Sequence, residues 1–313
     1  MEFAYIDIGE LDFSIRLSAY MKWFHSRGCP AALVMTYPDR RCLYEGWVDK
    51  VVNVPDEFYR DFDIRKQWGS RVGGIARDTQ KEEREEDKRE NKIFFEYFNK
   101  KLPEGYCVSK EMSFIHGFSE MMTGKNKLFI PYPYGEQLVG KKEILIFPRA
   151  RQTFPQNNRN IPKIFYIKLI DRLCGEFKDY IIRTMGLKFA AYDIVEIEKD
   201  NYINSVEENS SFQKMINRCQ LAVGAIGSHS TPLLFTMLQG VPSFIVGRDR
   251  EKIERDNWLR TRFYFFGVGR WIFAEWKDEK KHAEAIDKAV LFFKNTNEND
   301  CDSRRSSIIY KGV

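Results

Sequence analysis

The residues best suited to chemistry in this 313-residue chain lie in one short segment, Ala222-Val223-Gly224-Ala225-Ile226-Gly227-Ser228-His229-Ser230-Thr231-Pro232. An apolar run reads as a buried strand and ends at Gly227, and Pro232 suits the first turn of a helix. The first backbone N–H groups of a helix have no partner within it, and the helix dipole adds partial positive charge there. Together they make a ready anion site. The hydroxyls of Ser228, Ser230 and Thr231 add donors, and Gly227 admits close backbone approach. The alternative is a plain N-cap, but a cap needs only one hydroxyl, so three favour a phosphate. His229 either reaches the bound group or satisfies a loop carbonyl.

A second cluster follows the strand Ile144-Leu145-Ile146-Phe147, in Pro148-Arg149-Ala150-Arg151. Open α/β sheets bind ligands outside the carboxyl ends of their strands, and paired guanidiniums grip a diphosphate bidentately. Arg149 and Arg151 are therefore either diphosphate ligands or charges on a solvated loop. Thr184 and Gly186, after the strand expected at Tyr180–Ile182, would line the same crevice. Near the start of the chain, Ile8-Gly9-Glu10-Leu11 is a strand-to-helix turn. Its acid, Glu10, is either a general base for an attacking hydroxyl or an acid favoured by the helix dipole. Asp12 competes for both roles, and Asp7 sits inside the strand. Among the four histidines, His116 is a secondary catalytic candidate, His25 falls near a helix end and His282 is expected on the surface.

No histidine or cysteine pair has metal-ligand spacing, and no Asp-x-Asp follows a strand, so no metal site is expected. The glycine signatures of dehydrogenase dinucleotide sites and of P-loops are absent as well.

Strands and helices must position these groups. Phe3–Ile8, the amphipathic run Leu11–Arg27, Ala31–Met35, a short helix from Pro38 and Val51–Val54 alternate as β-α-β-α-β. The charges of Arg77–Lys92 are of mixed sign and read as a solvated helix with ion pairs, running into aromatics that would dock it on the first lobe. Tyr106–Val108 is a further strand, and Leu128–Gly135 reads as an interdomain linker. A second series comprises a strand at Ile144, a helix over Pro162–Phe177, Tyr180–Ile182, Ser211–Arg218, Leu221–Ile226, Pro232–Gln239 and Ser243–Val246. It closes with the helix Ala283–Lys294, expected to pack back on the first lobe. The implied domains are residues 1–135 with the insertion 77–92, residues 136–296, and a polar tail, 297–313.

The composition is globular, with 43% hydrophobic and 15% aromatic residues. No apolar run reaches the roughly 18 residues of a membrane span, and the acidic N-terminus lacks the form of a signal peptide. The six cysteines are scattered singly, which suits reduced thiols and a cytoplasmic setting. A net charge of +5 without a basic stripe argues against nucleic acid and allows at most peripheral membrane contact.

Three of these segments together resemble the GT-B glycosyltransferases, most of all the ADP-heptose lipopolysaccharide heptosyltransferase type. Ile8-Gly9-Glu10 is similar to the family's glycine-acid loop carrying the catalytic base, with Glu where Asp is usual. Phe147–Arg151 resembles its donor loop. Arg218 through Gly247, including Gly240-Val241-Pro242, follows its order of helix, strand, hydroxyl turn, helix and Gly-x-Pro before a strand. The turn at Gly227–Pro232 departs from the usual Gly-Pro-His order. The resemblance implies two Rossmann-like α/β lobes whose parallel sheets face across a cleft. It implies transfer of a sugar from a nucleotide sugar to an acceptor hydroxyl on a glycan, a lipid-linked or another molecule. The transfer would be inverting and metal-independent, with the nucleotide sugar as substrate and no cofactor. The alternatives are a nucleotide-sugar epimerase of the same fold and a non-catalytic phospholigand-binding protein.

Overall fold

The computed structural model describes residues 2–7, 14, 17, 18, 21, 25, 28, 31–61, 96–108, 139–150, 160–207, 212–228, 230–238, 241–247, 271–275 and 279–296. The chain divides into two compact units, Met1–Phe129 and Ile130–Val313. Both are α/β, and each is built on one wholly parallel sheet. The charged segment 77–92, Leu128–Gly135 and residues 297–313 lie outside the described residues.

In the first unit β1 (Glu2–Asp7), β2 (Ala31–Thr36), β3 (Val48–Asn53) and β4 (Tyr106–Val108) lie in the order β3-β2-β1-β4. Ser14, Leu17, Ser18 and Met21 are helical and buried, at the spacing that puts them on one face of the crossover between β1 and β2. Helix α1 (Asp56–Asp61) brings Phe58 against Phe98, 5.1 Å between ring centroids, and against Tyr97 at 5.7 Å, so these two of the aromatics that follow the charged segment pack into this unit.

At the carboxyl end of β1, Asp7 is fully buried. It accepts hydrogen bonds from Ser14 Oγ (2.9 Å), Thr36 Oγ1 (2.8 Å) and Tyr44 Oη (2.7 Å), and Arg40 Nη1 stands 3.6 Å away. Arg40 also donates to Ser14 Oγ at 2.7 Å. One carboxylate thus ties the crossover helix, β2 and the short 3-10 helix Pro38–Leu43 to β1. Burial raises its pKa above 3.8; the Arg40 charge and the three hydroxyl donors oppose the rise without cancelling it.

In the second unit β5 (Glu143–Phe147), β6 (Ile181–Leu187), β7 (Tyr202–Glu207), β8 (Ala222–Gly227), β9 (Ser243–Gly247) and β10 (Trp271–Glu275) lie in the order β10-β9-β8-β5-β6-β7. Counted from its own first strand this is 3-2-1-4-5-6, read from the β7 edge, the doubly wound order of dinucleotide-binding sheets. Every residue of β5, β8 and β9 is buried, as parallel strands covered on both faces must be. Helices α2 (Lys163–Glu176), α3 (Phe212–Cys219), α4 (Thr231–Leu238) and α5 (Glu279–Lys294) complete the unit. Most apolar residues of α5, a helix expected to return to the first lobe, join this unit's own core: Ala285, Ile286, Ala289, Val290, Phe292 and Phe293 are buried with those of α2 and β5, while Leu291 is exposed.

Three further differences from the sequence reading have physical causes. Strand β6 runs to Leu187 instead of stopping at Ile182, because its ladder with β7 continues to the pair Leu187–Glu207. Strand β7 itself is a half-exposed edge strand without an apolar run. His282 is buried, edge-on to Phe165 at 5.4 Å, because the first turn of α5 lies over α2.

The Asp7 shift fixes a sign. A carboxyl whose folded pKa is raised holds its proton more tightly folded than unfolded, so the proton's stabilisation is lost as pH rises through the folded value. Denaturant melts of wild type and Asp7→Asn from neutral pH towards about pH 4 should show wild type gaining on the variant with acidification. A gap that stays flat or moves the other way contradicts the raised value.

Candidate anion site at the carboxyl edge of the second sheet

The winding of the second sheet reverses between β5 and β8, which are hydrogen-bonded neighbours with Phe147 opposite Gly227. Crossovers from these two strands leave in opposite directions along the sheet, so their carboxyl ends flank the topological switch point where such folds take ligands. Arg149 follows β5 there, and Ser228, Ser230 and the start of α4 follow β8.

Arg149 is held by its backbone. Its peptide pairs antiparallel with Ala191, and the next peptide, Ala150 N–H, donates to Ala190 O at 2.8 Å. The Tyr166 hydroxyl donates to Phe147 O at 3.3 Å beside it. Burial pushes that phenol far above its ordinary pKa of 10, opposed by a hydrogen bond with the Arg149 backbone and by that residue's charge.

Ser228 is fully buried and Ser230 is 4% exposed, and neither hydroxyl has a hydrogen-bond partner among the described residues. Ser230 immediately precedes α4, the N-cap position, yet its Oγ makes no bond to the first turn. The plain N-cap is therefore not what Ser230 provides. A buried hydroxyl without a partner carries a desolvation cost of about 1–3 kcal/mol, and both lie just before a helix start whose N–H groups are free of intrahelical bonds. Both are satisfied if an anion sits there.

The other expected site residues divide. Gly227 is in place, but a Cβ on it would meet Phe147 Cβ and O at 3.1 Å, so the neighbouring strand occupies the space its hydrogen leaves. Thr184 and Gly186 lie inside β6 and not in a loop beyond it. The buried Thr184 hydroxyl donates to Asn204 Oδ1 at 2.8 Å and lies 3.1 Å from Tyr202 Oη, so it is committed within the sheet. A Cβ on Gly186 would fall 2.5 Å from Ala191 Cβ, so this glycine serves the turn that pairs with Arg149. Thr231 begins α4. Glu10, His116, Arg151 and His229 lie outside the described residues. Tyr166 was missed by sequence reading, since it is one aromatic among several on a helix.

Among the described residues no group of three or more His, Cys, Asp or Glu could hold a metal ion, and no helix is long and apolar enough to cross a membrane. The described cysteines, Cys42, Cys107, Cys174 and Cys219, are free thiols.

A site for an anion and a site for structure respond oppositely to loss of a hydroxyl. Ser228→Ala removes a buried group that bonds to nothing described, so folding stability should hold or rise by up to about 1–3 kcal/mol. Affinity for inorganic pyrophosphate should fall in the same variant. A destabilised Ser228→Ala protein with unchanged anion affinity contradicts the assignment.

No protein-family model and no curated protein matches the chain. Solved structures similar to it include glycosyltransferases. One is the spinosyn rhamnosyltransferase SpnG complexed with spinosyn aglycone, at 10% identity and TM-score 0.46, covering 98% of this chain and 96% of that one. Another is a glycosyl transferase of family 9 from Veillonella parvula, at 9% identity and TM-score 0.47, covering 98% and 97%. A putative UDP-N-acetylglucosamine 2-epimerase from Listeria monocytogenes aligns at 9% identity and TM-score 0.45, covering 97% and 90%. Likenesses at these scores carry no functional weight; the site's own geometry does.

Proposed function

We propose that the chain is a glycosyltransferase that moves a sugar from a nucleotide-sugar donor to an acceptor hydroxyl, by a single inverting displacement without a metal ion. The observation that supports this reading is the pair of buried hydroxyls of Ser228 and Ser230, without a hydrogen-bond partner among the described residues, at the switch point leading into the start of α4. The resemblance carried by Ile8-Gly9-Glu10, Phe147–Arg151 and Arg218–Gly247 turns an anion site into a donor diphosphate site.

In the proposed mechanism Glu10 takes the proton of the acceptor hydroxyl as its oxygen attacks the anomeric carbon. The bond from that carbon to the diphosphate oxygen breaks, and the electron pair leaves with the nucleoside diphosphate. Arg149, Arg151, the hydroxyls of Ser228, Ser230 and Thr231 and the first N–H groups of α4 neutralise the departing charge, with His229 beside them. Donors fixed in advance do this without reorganising at the moment of reaction, which is what makes a metal dispensable. His116 is a secondary candidate for proton transfer. The acceptor is a glycan, a lipid-linked molecule or another hydroxyl compound, met in the cytoplasm with at most peripheral membrane contact.

Thermal unfolding with free nucleoside diphosphates and nucleotide sugars tests the donor site. A ligand at about 100 times its dissociation constant should stabilise the fold by roughly 2.7 kcal/mol. A melting point that no nucleotide moves overturns the proposal. Glu10→Gln should abolish transfer while leaving nucleotide affinity nearly intact, and a fully active variant removes Glu10 from the mechanism. Appearance of an epimerised nucleotide sugar without any acceptor would replace transfer by epimerisation.

A further inference from the structure

After β6 the chain turns through Lys188, Phe189 and Ala190, and this turn is fastened on three sides. Ala190 N–H donates to Leu187 O at 2.8 Å, and Lys188 N–H donates to Glu207 O of β7 at 3.1 Å. On the β5 side, Ala190 O accepts from Ala150 N–H, Ala191 pairs with Arg149, and Tyr192 N–H donates to Pro148 O at 2.8 Å. The closeness of Gly186 to Ala191 locks the base of the turn. Met185 and Ala191 on either side are buried, but Phe189 is 63% exposed. A large aromatic ring is thus carried into solvent on backbone that is pinned to the backbone of Arg149.

Its place along the sheet edge gives the exposed ring a use. Ser228, Arg149 and Phe189 follow the neighbouring strands β8, β5 and β6 at the same edge of the sheet, and with strands about 4.8 Å apart the outer two strands lie roughly 10 Å from each other. A nucleoside diphosphate has the matching layout, with charge at one end and a flat ring at the other. We infer that Phe189 is the stacking platform for the nucleobase of the donor, a subsite distinct from the diphosphate site and built by the turn after β6. The assignment rests on the proposed nucleotide-sugar function and sharpens it. A ring face grips any base and reads no hydrogen-bonding edge, so this subsite adds affinity to purine and pyrimidine nucleotides alike.

The test compares ADP, UDP and inorganic pyrophosphate on the full chain by calorimetry. Phe189→Ala, a change at an exposed position, should weaken ADP and UDP roughly ten-fold, the scale of one base–aromatic stack, and leave pyrophosphate unchanged. Phe189→Trp should restore nucleotide affinity and add a fluorescence signal that nucleotide, but not pyrophosphate, quenches. Unchanged nucleotide affinity in Phe189→Ala, or an equal loss for pyrophosphate, overturns the platform while the diphosphate site stands. Failure of wild type to bind any of the three ligands overturns the donor site itself and the platform with it.

Discussion

Parallel strands cannot be joined by tight hairpins; each needs a crossover, and crossovers in one sheet share one hand. A sheet that starts in its middle must therefore wind first to one side and then to the other. In the second unit that start is β5, with β6 and β7 on one side and β8, β9 and β10 on the other. The ends of β5 and β8 are left adjacent while the chains leaving them diverge. Everything assigned to the candidate site follows from this: Arg149 and Ser228 are 79 residues apart in the chain yet stand beyond paired strand ends.

The same topology explains what could be read from the residues alone. Strands β5, β8 and β9 are covered on both faces, so Ile144–Phe147, Ala222–Ile226 and Ser243–Val246 show as apolar runs, and the hydroxyl turn after β8 stands out against them. The far end of β6 does not show, because Arg183, Thr184 and Gly186 break the run. Each is explained by a partner that linear spacing does not reveal. Arg183 is gripped by Glu143, 40 positions away, with bonds of 2.8 and 2.9 Å, and Arg218 braces the same carboxylate. Thr184 is satisfied by Asn204 on β7, and Gly186 yields space to Ala191. Strand β7 escapes notice for the usual reason at a sheet edge: with one side open its apolar residues need not be continuous. His282 looks like a surface residue by type and is buried by its ring contact with Phe165.

The network at Asp7 and the site at Ser228 show the two ways a buried polar group can be handled. Asp7 receives three hydroxyl hydrogen bonds and a nearby guanidinium, drawn from three elements, and is spent on holding β1 in place. Glu143 and Thr184 are treated alike. Folded proteins satisfy nearly all such groups, because each omission costs as much as several good contacts return. Against that background Ser228 and Ser230, whose buried hydroxyls have no hydrogen-bond partner among the described residues, are a departure, and they stand at the switch point.

Glycine use sharpens the same distinction. Gly227 and Gly186 both sit where a ligand would welcome a missing side chain, yet Phe147 and Ala191 occupy the space. Their role is in the scaffold: one lets β8 lie tightly against β5, the other seats the turn that holds Arg149. Preorganised binding depends on such support, since a donor group fixed by its backbone loses little freedom when the ligand arrives. Arg149 is pinned through its own peptide, Phe189 through the turn it rides on, and Ser228 by burial at the end of β8. The backbone fastening of the sheet edge, more than the number of polar groups on it, is what the proposed donor site would draw on to hold a charged and flat ligand in one orientation.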